Sequence, residues 1–226
     1  MSKQKIFLIT GASSGIGAAT TEKIVNAGHK AVITARSLDK LEKLVKNLGE
    51  ENVLAVKADV SVFDEIEHVV EKAKERFGRI DVVFANAGTG ASTPGIQDGS
   101  VDEWKTMLDV NINALLYTAK ASLPSLKETK GHFIITSSIA GKISLKGSVY
   151  GATKWFAYGF GQNLAAEMDE WDGRCTTICP GMVNTAFFDE AKPDKLAPQD
   201  VADAVLYAVC ADERCCVREV CIMPTK

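Results

Sequence analysis

Short β-branched and aromatic runs alternate along the whole chain with longer stretches whose apolar residues recur every three or four positions. The short runs predict strands over Ile6 to Thr10, Ala31 to Thr34, Val53 to Val56 and Asp81 to Phe84. Between them, Ile16 to Ala27, Leu38 to Leu48 and Val62 to Phe77 predict amphipathic helices, each opening near Ser or Asp and closing near Gly. The second half adds an apolar helix around Val110 to Leu126, a strand His132 to Thr136, a helix Val149 to Met168 and a strand Thr176 to Ile178. A last helix, Asp200 to Cys210, leads into a strand near Val217 to Ile222. Seven strands and about six helices alternate without repeat, low-complexity segment or dividing linker. That rhythm predicts an α/β fold of three layers, a doubly wound sheet of seven parallel strands, with residues 1–226 forming one domain.

Composition narrows the partners. The chain has 226 residues, 46% hydrophobic, with 26 Lys plus Arg against 29 Asp plus Glu. That is an ordinary globular balance, which excludes disorder and fibrous repeats, and a core of this size needs no disulfide or metal to fold. A net charge of -3 and the lack of any long like-charge run speak against nucleic acid or an anionic membrane as partner. No stretch is apolar enough to span a bilayer, and Met1 to Lys5 run into the first strand without a signal-peptide layout, so the expected location is the cytoplasm. All six cysteines (Cys175, Cys179, Cys210, Cys215, Cys216, Cys221) fall in the last quarter, with no Cys-x-x-Cys pair and no histidine nearby to complete a zinc set. Free, mostly buried thiols and no metal are expected. A redox switch at the adjacent Cys215 and Cys216 is the disfavoured alternative.

After the first strand comes Thr10-Gly11-Ala12-Ser13-Ser14-Gly15-Ile16-Gly17, with the next helix starting inside the turn. A strand, a glycine-rich turn and a helix N-terminus make an anion site: glycine lets the backbone approach a pyrophosphate, and unpaired N–H groups with the helix dipole favour its charge. The spacing is G-x-x-x-G-x-G rather than the general G-x-G-x-x-G. At the end of the second strand, where an acidic residue would repel a 2′-phosphate, the chain reads Ala35-Arg36, which favours NADP(H) over NAD; a solvated Arg36 is the plain alternative. Tyr150 and Lys154 lie one helical turn apart on one face. A phenol exchanges protons near neutrality only if its pKa, ordinarily near 10, is brought down by about three, worth roughly 4 kcal/mol. A fixed cation beside it, together with an oxidised nicotinamide, acts in that direction.

These elements, in this order, resemble the short-chain dehydrogenase/reductase family in its compact single-domain branch, over about residues 5 to 224. The resemblance implies a Rossmann-type fold and a small-molecule carbonyl or alcohol substrate. The glycine-rich turn, through Gly11, Ser13, Ser14, Gly15, Ile16 and Gly17, would face the adenosine half of NADP(H). Asp59 and Val60, in Ala58-Asp59-Val60, would stand near the adenine, although Asp59 also suits the start of the next helix. Asn86, Ala87 and Gly88 match the family's Asn-Ala-Gly, with Ala85 in place of its usual preceding Asn. Ser138, in Ser137-Ser138-Ile139-Ala140-Gly141, would hold the substrate oxygen, Tyr150 would exchange its proton, and Lys154 would grip the nicotinamide ribose. The interval from serine to tyrosine is one residue shorter than is commonest. Asn111 matches an asparagine that holds a water behind the lysine; helix bending or a satisfied buried amide is its other reading. Pro180, Gly181, Val183 and Thr185 match the segment that holds the carboxamide.

The implied activity is reduction of a small ketone or aldehyde. The alternatives are oxidation of 3-hydroxy acids or β-hydroxy amino acids such as serine, with Lys192 holding a carboxylate, and a module that senses the redox state of NADP. Only Ala186 to Ala197 separate the carboxamide segment from the last helix; Phe187 and Phe188 there either form a short lid or pack on that helix. The tail, Val220-Cys221-Ile222-Met223-Pro224-Thr225, lacks the family's common Gly-Gly segment. Trp155, Phe156, Tyr158 and Phe160 exceed one core-facing stripe, so a homodimer or homotetramer contact is expected for some of them.

Overall fold

The computed structural model describes residues 4–93, 95–188 and 190–225. Its elements in chain order are β1 (Ile6–Thr10), α1 (Gly15–Asn26), β2 (Lys30–Ala35), α2 (Leu38–Leu48), β3 (Val53–Lys57), α3 (Phe63–Phe77) and β4 (Val82–Ala85). There follow α4 (Val101–Leu108), α5 (Ala114–Thr129), β5 (His132–Thr136), α6 (Val149–Asp169), β6 (Arg174–Pro180), α7 (Pro198–Cys210) and β7 (Glu219–Ile222). The strands pair parallel in the order β3-β2-β1-β4-β5-β6-β7. The order reverses between β1 and β4, and the crevice at their carboxyl ends is where such a sheet receives a ligand.

Period-two alternation sorts the strand residues into two cores. Phe7 and Ile9 of β1, Ile33 of β2 and Phe84 of β4 pack with Ile24 of α1, Leu41 of α2 and Val201 and Val205 of α7. Leu8, Val32, Val83 and Phe133 point the other way, to Val69 of α3, Leu115 and Leu126 of α5, and Leu164 and Met168 of α6. Both faces of the sheet are therefore dry, which is why the strands read as nearly unbroken apolar runs.

Among the described residues there are seven α-helices where the pattern predicted about six. The extra one, α4, is short; Ser100 caps it by accepting from the Glu103 N–H, and a π-helical turn, Asp109–Asn113, joins it to α5. The Gly- and Ser-rich stretch before it masked the start, and the π turn shifted the apolar register that marked Val110 as a beginning. The cysteines also differ from expectation: all six are free, but only Cys175 and Cys179 are buried, Cys216 is intermediate, and Cys210, Cys215 and Cys221 are exposed. Four of them follow α6 and β6 into the last helix, its loop and the edge strand, where the sheet has no further neighbour to cover them.

His132 on β5 is fully buried, and its Nε2 lies 2.7 Å from the Thr176 hydroxyl, which itself donates to the Val217 carbonyl. That chain makes Nε2 the protonated nitrogen, and Nδ1 has no partner among the described residues. Burial, with Arg174 and Lys5 adding repulsion, holds the imidazole well below its ordinary titration range. The folded state thus binds fewer protons than the unfolded chain just below the ordinary histidine pKa of about 6.5. Stability should be full above that pH and fall by up to about 1.4 kcal/mol per pH unit on acidification. Urea titrations at pH 7.5 and 5.5 should show this slope, and His132→Gln should flatten it.

Candidate active site

The glycine-rich turn leaves β1 at Thr10. Gly11 sits at φ +65, and a Cβ there would stand 2.8 Å from the Ala87 Cα; at Gly17 it would stand 2.9 Å from the Ala12 Cα. Side chains are thus excluded where the turn packs against β4. Gly15, at φ +54, opens α1, and a Cβ on it would meet Thr185 at 3.1 Å across the crevice. Ser14 stands in the cap position but makes no side-chain cap, so the first N–H groups of α1 keep their capacity for an anion. Ser13 and Ile16 border the same turn, half-exposed.

Asn86 ties this turn to the sheet. Its Nδ2 donates to the Thr10 and Gly11 carbonyls at 3.2 and 3.3 Å, and its Oδ1 accepts from the Thr136 hydroxyl at 3.2 Å. The Thr10 hydroxyl in turn accepts from the N–H groups of Asn86 and Ala87. The Asn86 side chain is therefore committed to bracing the ends of β1 and β5 against each other. At the end of β2 Ala35 is buried and Arg36 exposed, with no hydrogen bond or ion pair among the described residues. Asp59 accepts from the N–H and hydroxyl of Ser61 at 2.9 and 2.7 Å; those bonds, and to a lesser degree the Arg36 charge, hold its carboxyl below the ordinary range. Asp59 does not cap α3, whose N-cap position is Val62 without a side-chain cap; it holds the turn at Ser61 instead, and Arg36 lies close enough to feel it. Val60 is buried with Ile66 and Ala114.

Four predicted residues meet at the carboxyl ends of β4 and β5. Lys154 is only 5% exposed, and its Nζ donates to the Thr136 carbonyl at 3.0 Å, 5.7 Å from the centre of the Tyr150 ring. Burial holds the ammonium down at about 8. Ser137 donates to the Lys154 carbonyl at 2.8 Å and so has no hydroxyl to spare, whereas Ser138 bonds the Tyr150 hydroxyl. Burial raises the Tyr150 pKa and the Ser138 bond opposes it. Lys154 together with the oxidised nicotinamide was expected to bring the phenol down; in the chain's own residues the cost of a buried phenolate is the larger effect.

Asn111 falls within the π turn. Its Oδ1 accepts from the Thr89 N–H at 2.8 Å, and its Nδ2 donates to the Thr89 carbonyl at 2.9 Å and to the Thr153 hydroxyl at 3.0 Å. The side chain is a satisfied buried amide that bridges the loop after β4 to α6. Between it and Lys154, a cavity lined by Thr10, Thr118, Thr136, Asn111 and Lys154 has room for about one water. Gly88 closes over both residues, its missing Cβ 3.4 Å from Nζ.

After β6, Pro180 offers its carbonyl towards the Ser138 hydroxyl at 3.5 Å, and Gly181 bonds the Ile222 carbonyl. Val183 bridges to Leu196, which closes Ala186 to Lys195 into a loop. Phe187 lies 5.5 Å from the Tyr150 ring and against Gly90, so it takes the lid position and not a place on α7; Phe188 packs on it at 5.3 Å. Thr89, Thr136 and Thr153, which hold Asn111, Asn86 and Lys154, were not found from the sequence. Threonine carries no spacing signal, and only Thr153, inside Tyr-x-x-x-Lys, lay within a motif.

A parallel sheet whose switch-point crevice gathers a glycine cradle, a buried lysine and a serine bonded to tyrosine defines a dinucleotide-dependent oxidoreductase. The short chain dehydrogenase family model matches residues 5–196, and the chain belongs to that family. An uncharacterised oxidoreductase of Staphylococcus aureus (strain MRSA252) is 39% identical over 225 residues, covering 97% of each chain. Among solved structures, an alcohol dehydrogenase from Thermococcus sibiricus complexed with 5-hydroxy-NADP superimposes with a TM-score of 0.91 at 31% identity, covering 99% of this chain and 97% of its own. A serine dehydrogenase from Escherichia coli does so at 0.89 and 32%, covering 97% of each.

Gly17→Ala tests the cradle. The added methyl must push Gly11 and Ala12 aside, which should cost about 1–3 kcal/mol by chemical denaturation. Dinucleotide affinity, read by fluorescence titration, should fall more than the loss of fold accounts for.

Proposed function

We propose that the protein is an NADP(H)-dependent reductase of small, uncharged ketones or aldehydes, acting with Tyr150 as proton donor. The convergence of Ser138 and Lys154 on Tyr150, beside the glycine cradle, carries this reading. The residues fit the cofactor: glycine excludes side chains where a pyrophosphate would lie, the α1 N-terminus is uncapped, and Arg36 stands exposed at the end of β2 with its fork available for a 2′-phosphate. Gly11, Ser13, Ser14, Gly15, Ile16 and Gly17 would hold the phosphates, with Asp59, Val60, Asn86, Ala87 and Gly88 along the adenosine side. Pro180, Gly181, Val183 and Thr185 would hold the carboxamide. NADPH, when bound, supplies the hydride. The Thermococcus relative's 5-hydroxy-NADP supports the same choice of cofactor.

On this reading the Ser138 hydroxyl donates to the substrate oxygen and stabilises its developing charge while Tyr150 Oη delivers the proton to it. A phenol held above its ordinary pKa is protonated at neutral pH, the state a donor needs. Lys154, charged below about pH 8, orients the ribose and returns a proton towards Tyr150 through the cavity beside Asn111. Phe187 covers Tyr150 and keeps bulk water from the reacting oxygen.

A second reading, oxidation of serine-like β-hydroxy acids, is favoured by the likeness to the serine dehydrogenase. It needs a cation for the carboxylate, and Lys192 is paired with Glu190 at 3.3 Å. The protein would work in the cytoplasm as a homodimer or homotetramer, with exposed Leu116 of α5 and Trp155 of α6 at the contact. Among the described residues no helix is long and apolar enough to cross a membrane.

Steady-state oxidation of NADPH and of NADH against ketones, aldehydes and β-keto acids tests the reading; preferential NADPH consumption with uncharged carbonyls is expected. Turnover confined to L-serine or 3-hydroxy acids with NADP+ would replace it with the second. Tyr150→Phe should lower kcat by about 10²–10⁴-fold with NADPH binding nearly unchanged. Arg36→Ala should weaken NADPH by about 10- to 100-fold, as expected for a charged hydrogen bond, and NADH by less than threefold or so.

A further inference from the structure

β6 and β7 pair in parallel register, with Thr177 opposite Glu219 and Cys179 opposite Cys221. Residues two apart on a strand share a face, so Glu219 and Cys221 project on the same side as Cys179, the side covered by α6. A sulfur from each cysteine and a carboxylate oxygen of Glu219 lie within 4.8 Å of one another. Cys179 is buried, Glu219 partly so, and Cys221 is exposed, so the group opens to solvent along the edge of the sheet. The carboxylate is already oriented. The Tyr158 hydroxyl donates to its Oε2 at 3.0 Å, and its Oε1 accepts from the Cys221 thiol at 2.9 Å and from the Lys142 ammonium. Lys142 also lies 4.9 Å from the centre of the Tyr158 ring.

We propose that Cys179, Cys221 and Glu219 form a binding site for a thiophilic divalent cation of the zinc class, with water in the fourth position. Two thiolates and a carboxylate form the donor set that suits such an ion, and ligand distances of about 2.3 Å for sulfur and 2.0–2.2 Å for oxygen need the three atoms to close by only about an ångström. On binding, each thiol gives its proton to solvent, each sulfur forms one bond to the metal, and nothing is oxidised or reduced. Loss of the Cys221 proton frees Glu219 Oε1 for the metal, while Tyr158 keeps Oε2 and so supplies the outer bond that orients a metal-bound carboxylate. The charges also balance: two thiolates and one carboxylate stand against a divalent ion and Lys142, which loses Oε1 but stays beside the cluster. Cys179 directly precedes Pro180, so the ion would bind next to the crevice while its donor set includes none of the residues assigned to the reaction.

The test is titration of the reduced, full-length protein with zinc chloride against a chromophoric chelator. One equivalent should bind, protect two thiols from alkylation, and on replacement by cobalt(II) give thiolate charge-transfer absorption. Cys221→Ser, at an exposed position, and Glu219→Gln should each weaken binding at least tenfold while leaving the thermal midpoint without metal unchanged. Cys179→Ser should do the same wherever it folds. The Cys210→Ser, Cys215→Ser, Cys216→Ser triple variant should bind as the parent does. Affinity unchanged in Cys221→Ser, binding lost in the triple variant, or no saturable binding at all would overturn the site.

Discussion

A lysine ammonium with 5% of its surface exposed is the constraint around which the crevice is built. An isolated charge in that position would be expensive, and the chain keeps it by fixing every neighbour. The Thr136 carbonyl at the end of β5 receives its Nζ, Ser137 holds the Lys154 backbone, and Asn111 reaches across from the π turn to Thr153, one residue before it. Two of these contacts come from the end of β5 and the third from the π turn before α5. The position of one amine therefore depends on the register of β5, the seating of α6 and the bend between α4 and α5 at once.

The glycine cradle rests on the same frame. Thr136 gives its carbonyl to Lys154 and its hydroxyl to Asn86, and Asn86 in turn holds the Thr10 and Gly11 carbonyls. One threonine at the end of β5 thus joins the charged half of the crevice to its phosphate half. Polar networks of this kind rigidify a site when every member is satisfied, and here the members are. The loop after β6 lays Phe187, 44% exposed, on the Tyr150 ring. Phe187 meets Tyr150 by ring contact, while its N–H donates to the Thr185 hydroxyl at 3.3 Å within the loop.

Much of this was legible in the chain. The structure brings the glycine-rich turn, Arg36, Ser138, Tyr150 and Lys154 to the same edge of the sheet, because a parallel sheet sends the carboxyl end of every strand to one edge. Helix α4 was not legible: at eight residues it is too short for a periodic signal to outweigh the Gly- and Ser-rich stretch before it. The choice between Ser137 and Ser138 rested on motif alignment, and the hydrogen bonds separate the two hydroxyls. The desolvation that raises the Tyr150 pKa in the chain's own residues was not legible, since helical spacing gives the distance of Lys154 but not the burial of the phenol.

What the sequence by itself determined is the set of local matters: where strands and helices lie, where glycine must turn the chain, and which faces are apolar. These depend on residues within a few positions of each other. Tertiary structure alone decided the pairings across long intervals, such as Asn111 with Thr89 and Thr153, Phe187 with Tyr150, and Cys179 with Cys221 and Glu219. Cysteines 42 residues apart carry no spacing signal for a shared donor set. They meet because parallel pairing sets β7 beside β6 with those two residues opposite each other, a register fixed by the burial of the whole sheet and not by either strand.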